Sequence, residues 1–178
     1  GIDRASLILG SHPDLLCSLL AMQDLLGLTS LTGRQLKDEG MMVVSTAIAI
    51  GAMGKLIYLE LDFNQIGDEG IKAFADAINN GALANLEYLH LADNQIADEG
   101  MKAFSTAISS GALGSLVHLD LGGNQISDAG MTALAGAIAS GAMVALSEVW
   151  VFGNPGNMQP LQVACNGCAI KCPSSEEE

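Results

Sequence analysis

The residues with the most chemical potential are three cysteines near one end of the chain, Cys165, Cys168 and Cys172, spaced C-x-x-C-x-x-x-C. Thiolates at that spacing can ligate zinc or close a disulfide. A zinc site needs a fourth ligand, and none stands nearby. His12, His90 and His118 belong to other parts of the chain, Cys17 lies near the opposite end, and there is no second C-x-x-C. Thiols packed in a terminal cap are the expected state, with a disulfide or a metal or redox centre as alternatives. No cofactor is expected.

A second constellation is His90 with Glu60 and Asp120, each 30 residues apart. Adjacent strands would bring such residues within about 5 Å of one another, which invites a catalytic or metal reading. An open sheet face does not exclude water, and no nucleophile is paired with the histidine, so opposite charges steadying neighbouring strands is the simpler account. No catalytic residue is expected. The glycines recur with the same period and suit helix ends, not a phosphate-binding loop.

Composition narrows the choice further. The chain has 178 residues and is 49% hydrophobic, enough for one domain with a sizeable core. One Trp, two Tyr and four Phe mean that this core is built from small aliphatic side chains. The formal charge of −13 repels phosphate backbones and anionic membranes and favours cationic partners. Apolar stretches such as Met41–Met53 and Leu15–Leu28 are too short or too interrupted to span a bilayer. Free thiols suit a reducing compartment, so an intracellular, cytoplasmic setting is expected. The chain begins at Gly1 and not at Met, which leaves organelle import open.

The elements that would position these groups follow from an internal repeat. Leu56–Asn85 and Leu86–Ser115 match without gaps at 18 of 30 positions. The frame extends forward through Leu116–Ala145 to a partial unit at Leu146, and more weakly back to Leu26–Lys55. Each unit opens L-x-x-L-x-L-x-x-N-x-I, as in Leu56, Leu59, Leu61, Asn64 and Ile66, repeated from Leu86 and Leu116. The L-x-L alternation predicts a short strand buried on one face, and the Asn can satisfy backbone groups where the strand turns. A D-x-G sequence and an apolar pattern at helical spacing follow, as in Ile71, Phe74, Ala75 and Ile78. Asp38, Asp68, Asp98 and Asp128 stand where a helix N-cap is wanted. Gly51, Gly81, Gly111 and Gly141 stand where a left-handed C-terminal residue is wanted.

This pattern resembles the leucine-rich repeat. Its length and full helix are similar to the ribonuclease-inhibitor-like class, and N-Q-I-x-D-x-G-M with A-I-x-x-G-A-L, quoted from residues 94–113, is similar to arrays of unicellular algae and other protists. The resemblance covers about three quarters of the chain and implies an α/β solenoid. Such a solenoid is a right-handed β-α superhelix with short parallel strands on the concave face and helices on the convex face. Two positions depart from it: Arg34 replaces the turn asparagine in the first unit, and Asn154-Pro-Gly-Asn replaces a helix start, where the regular array is expected to stop. Residues 1–25 are expected as a helical N-terminal cap, with Ser11, Pro13 and an apolar stripe from Leu15 to Leu26. Residues 26–157 hold about four units and a partial one, and residues 158–178 form an irregular C-terminal cap with an acidic tail.

In such a solenoid the exposed strand positions line the concave face. They form the columns Leu28, Tyr58, Tyr88, His118, Glu148; then Ser30, Glu60, His90, Asp120, Trp150; then Thr32, Asp62, Ala92, Gly122, Phe152, with Phe63 and Asp93 beside them. Five of these are acids and none is Lys or Arg; Arg4, Arg34, Lys37, Lys55, Lys72, Lys102 and Lys171 fall in turns, helices or ends. The expectation is a non-catalytic module whose concave face holds another protein with a basic surface, with Tyr58, Tyr88, Trp150 and Phe63 as anchors. Alternatives are a structural subunit wedged into a larger assembly by its caps or helical side, or a cysteine-based metal or redox protein.

Overall fold

The computed structural model describes residues 6–9, 29–33 and 35–173. Six parallel strands form one sheet in chain order: β1 (Ser6–Leu9), β2 (Ser30–Gly33), β3 (Tyr58–Glu60), β4 (Tyr88–His90), β5 (His118–Asp120) and β6 (Glu148–Trp150). From β2 onward each strand is followed by a helix: α1 (Lys37–Ala49), α2 (Asp68–Ile78), α3 (Asp98–Ser109), α4 (Asp128–Ala139) and α5 (Gln159–Gly167). Each helix packs on the next, so sheet and helices form the two layers of an α/β solenoid.

The core lies between those layers and is copied from unit to unit. Leu59, Leu89, Leu119 and Val149, the middle residues of β3 to β6, are fully buried, as are Ile66, Ile96 and Ile126 at the turns. Burying one such side chain contributes about 1.5–3 kcal/mol. Phe74 of α2 and Phe104 of α3 stack with centroids 6.1 Å apart, the largest side chains of this interior. Gly51, Gly81, Gly111 and Gly141 have φ between 74° and 87°, the left-handed conformation expected where a helix ends.

Polar side chains join one unit to the next. The carboxamide of Asn94 accepts from the amides of Asn64 (3.1 Å) and Ile66 (2.9 Å) in the preceding turn and donates to the carbonyls of Leu61 (2.8 Å) and Leu91 (3.1 Å). Asn64, Asn124 and Asn154 repeat the pattern, reaching Leu36, Ile96 and Ile126 respectively. Asn64, Asn94 and Asn124 are buried, so amides that water cannot reach depend on them.

The aspartates work in the opposite direction, which corrects their reading as N-caps of their own helices. Helices α2 to α4 begin at the aspartate itself, and no residue before them caps with its side chain. Asp38 Oδ1 instead accepts from the amides of Gly67 (2.7 Å) and Gly70 (3.0 Å), one unit ahead. Asp68 holds the amide of Ala97, and Asp98 holds those of Ser127 and Gly130. The glycine of D-x-G makes room for this: a Cβ at Gly70, Gly100 or Gly130 would come within 2.6–2.7 Å of the preceding unit's carboxylate oxygen.

Three further expectations change. Ser6–Leu9, assigned to a helical cap, is a strand paired with β2, while the helix expected over Leu15–Leu26 lies outside the described residues. The first turn is two residues short: Ser30 pairs with Tyr58, 28 residues on, whereas Leu36 still meets Asn64 as Ile66 meets Asn94. Leu36 fills the space that a side chain at Gly33 would take, since a Cβ there would meet Leu36 and Leu61. The C-terminal cap is not irregular, because α5 continues the helical layer. Pro160 lies in its first turn, where a missing N–H costs nothing, and Leu161 and Cys165 supply its buried side.

Asn94→Leu would strand the amides of Asn64 and Ile66 and the carbonyl of Leu61. At about 1–3 kcal/mol for each buried orphan, a loss of about 3 kcal/mol or more is expected in urea-unfolding free energy. Two glycines in α-helices should respond oppositely in the same measurement. Gly136→Ala, with open space around it, should stabilise by about 0.5–1 kcal/mol, whereas Gly100→Ala should destabilise by displacing Asp68.

Candidate functional site

With one strand residue buried at the centre of each triplet, its two neighbours point to the concave surface. The register places Ser30, Tyr58, Tyr88, His118 and Glu148 in one row and Thr32, Glu60, His90, Asp120 and Trp150 in the next. From β3 onward these are the columns expected from the sequence. In β2 they shift by two residues, so Ser30 and Thr32 replace Leu28 and Ser30, a consequence of the shortened turn.

Parallel strands stand about 4.8 Å apart, which is also a ring-stacking distance. Tyr58 and Tyr88 stack face to face at 4.5 Å with their planes 9° apart. Tyr88 is followed by His118 at 6.5 Å, His118 by Trp150 at 5.7 Å, and Trp150 by Phe152 at 6.2 Å and 72°. His90 leans on His118 at 5.2 Å. A continuous aromatic path thus crosses four strands obliquely, moving from the first row to the second between His118 and Trp150. Each such pair contributes about 0.5–1.5 kcal/mol beyond area burial, so the path is held in shape before anything binds it. Sequence reasoning named its members but not their continuity, although Tyr58 and Tyr88, one period apart, carried the signal.

Carboxylates flank the path. Asp62 accepts from the amide of Ala92 at 2.7 Å, and its burial pushes its pKa above the ordinary carboxylate value. Asp120 accepts from the amide of Gly122 at 2.9 Å, and Glu60 from the Thr32 hydroxyl at 3.0 Å. His90 is in register with Glu60 and Asp120, yet its Nδ1 faces Asp62 at 3.8 Å, beyond hydrogen-bond reach. The expected segregation of charge needs one correction. Lys171 forms a bridge alongside Glu148, and its Nζ meets Glu148 Oε1 at 2.9 Å, bringing a cation to the C-terminal edge of the face. Glu148 also meets His118 Nδ1 at 3.2 Å. Lys171 first of all holds the Glu148 pKa below the ordinary value.

Phe63 and Asp93 occupy the next exposed column and are both exposed, Phe63 at 72%. Their φ angles are 58° and 52°, and the equivalent positions in later units are Gly123 and Gly153. The turn requires the left-handed conformation, so an exposed phenylalanine there carries backbone strain without burial to offset it. Phe63 lines a shallow groove of about 380 Å³ with Thr32, Gly33, Gln35, Glu60 and Asp62 at the N-terminal end of the face.

The cysteines lie at the other end, away from the strand face. Cys165 is buried and Cys172 partly buried, and both pack on the same core. Cys168 is exposed and directs its sulfur towards the Ile138 carbonyl at 3.8 Å. The three thiols therefore do not converge, and among the described residues no three His, Cys, Asp or Glu side chains form a group able to hold a metal ion.

Residues 55–75, 82–105 and 115–135 match the family described as Leucine Rich repeat. These units are leucine-rich repeats. The 30-residue period with a full helix is compatible with the ribonuclease-inhibitor-like class. Among solved structures, the chain is similar to an internalin (inlF) from Listeria monocytogenes, at 20% identity and a TM-score of 0.56 over 97% of this chain and 48% of that one. It is also similar to TLR13, solved in complex with ssRNA13, at 18% identity and a TM-score of 0.51, over 94% of this chain and 21% of that one. The chain thus spans about half of the internalin and about a fifth of TLR13, and at these identities the likeness concerns the fold. No curated protein matches it.

Leucine-rich repeats generally mediate protein–protein interaction and are typically not enzymes, and solenoids of this type offer extended concave surfaces for the purpose. The Glu148–Lys171 pair gives a direct test of the electrostatics at this one. A carboxylate whose folded pKa is depressed adds stability above its unfolded pKa, and that stability is lost as pH falls through the folded value. Lys171→Ala should move the Glu148 carboxyl titration, followed by NMR, upward towards the ordinary range and remove its share of the acid-side loss.

Proposed function

We propose that this chain is a non-catalytic interaction module that holds a basic segment of another protein against its concave face. The observation that carries the reading is the continuous aromatic path from Tyr58 to Phe152, bordered by Glu60, Asp62, Asp93 and Asp120. Rigid aromatic side chains offer large contact area at little entropic cost, and guanidinium or ammonium groups are attracted both to ring faces and to the neighbouring carboxylates. A partner with alternating basic and apolar side chains would use both. The strained, exposed Phe63 would anchor it at the groove end, where Glu60 and Asp62 also stand.

The formal charge of −13 opposes nucleic acid as the ligand. Among the described residues no helix is long and apolar enough to cross a membrane. We assign the module to a reducing, intracellular compartment on the strength of its unpaired thiols at Cys165, Cys168 and Cys172.

Binding of Arg- and Lys-containing peptides, measured by fluorescence anisotropy, should weaken as salt rises. Tyr88→Ala should reduce affinity by about tenfold or more, the size expected of a central aromatic anchor. Charge reversal at Glu60 and Asp120 should lower the association rate and flatten the salt dependence. If neither change alters binding, the concave face is not the site.

A further inference from the structure

The concave face makes no use of the C-terminal thiols, and their arrangement is specific. Cys165 lies on the buried side of α5. After Gly167 the chain reverses: Ala169 adopts a left-handed φ of 58°, and the amide of Ile170 returns to the carbonyl of Cys165 at 2.8 Å. Lys171 then runs beside β6, its amide bonded to Ser147 at 2.8 Å and its carbonyl accepting from Val149 at 2.9 Å. This delivers Cys172 onto the same core that buries Cys165, across a turn closed by the Ile170–Cys165 backbone hydrogen bond. Cys168, the sequence-nearer candidate, points instead to α4.

We propose that Cys165 and Cys172 form a reversible intrachain disulfide on exposure to a hydroperoxide, locking the C-terminal cap and its Lys171 against β6. The chemistry divides naturally between the two sulfurs. The Cys172 pKa is lowered by a hydrogen bond from Cys165, so the more accessible sulfur is the better thiolate. The Cys165 pKa is raised by that same bond and then by burial, so it stays protonated. The Cys172 thiolate attacks a peroxide oxygen, breaking the O–O bond to give a sulfenic acid and an alkoxide or hydroxide that takes up a proton. Cys165 sulfur then attacks the sulfenic sulfur, forming the S–S bond as its proton leaves with the hydroxyl group as water. Two thiols are oxidised, one peroxide is reduced, and an external dithiol reverses the process.

The fully reduced chain, treated under native conditions with hydrogen peroxide, should lose about 2 Da in intact mass before alkylation, and peptide mapping after alkylation should show a Cys165–Cys172 link that dithiothreitol removes. Cys168→Ser should retain the link, and Cys172→Ser should abolish it. Because Cys172 is only partly buried, this variant avoids the cavity risk of substituting Cys165. Tryptic cleavage after Lys171 reports on the cap independently and should slow at least several-fold in the oxidised wild type. A link to Cys168 or Cys17, a link between chains, gain of oxygen at Cys172 without a link, or no reaction would each overturn the assignment.

Discussion

A leucine-rich strand of three residues cannot satisfy its own backbone, and the turn that follows it is buried too deeply for water to help. What makes the solenoid possible is that each turn borrows its hydrogen-bond partners from a neighbour. Asn94 serves amides of the unit before it, and Asp98 serves amides of the unit after it. Strand pairing, leucine burial and helix packing all presuppose that these amides are satisfied, because orphaned buried groups would cost a large part of a domain's net stability. The spacing between units follows from the reach of a carboxamide and a carboxylate as much as from the bulk of Leu and Ile.

That same spacing sets the concave face. Strands held one hydrogen-bond spacing apart bring equivalent side chains to ring-stacking distance, so Tyr58 and Tyr88 stack without any further device. The oblique course of the path to Trp150 and Phe152 comes from which row carries the aromatic in each unit. The carboxylates beside it divide by environment. Asp62 and Asp120 are tied to backbone amides, Glu148 is paired with Lys171, and Asp93 is exposed. An acidic face counted by residues is therefore less uniformly charged than its composition suggests.

The repeat period made most of the fold legible in the sequence. Two residues 30 apart occupy equivalent places, which is enough to locate strands, helices, the leucine core and the left-handed glycines at Gly51, Gly81, Gly111 and Gly141. Period does not say whether a side chain bonds its own unit or the next, which is why the aspartates read as ordinary N-caps. It also hides compensating changes: Arg34 signalled a remodelled first turn, but only the pairing of Ser30 with Tyr58 reveals its two missing residues. The C-terminal helix was obscured by Asn154-Pro-Gly-Asn, whose turn residues read as the end of the regular array, although a helix starts soon after at Gln159 with Pro160 in its first turn, where proline is tolerated. The candidate face was legible as columns, but its edges were not, because Lys171 reaches β6 by a reversal no period encodes.

The opposed reach of the two polar side chains gives the array a polarity. Asparagines look back, so the first unit can carry Arg34 at that position without depriving its own turn, which Asn64 secures. Aspartates look forward, so Met158 can stand where the next aspartate would fall, while Asp128 still holds the amide of Asn157. Fraying at the two ends is then chemically different. Peeling away the C-terminal element strips carbonyl acceptors from the turn it leaves behind, whereas peeling away the N-terminal one uncovers the amides at a helix start. Water reaches a bare helix N-terminus far more easily than a buried turn, so such an array should erode more readily from its N-terminal side.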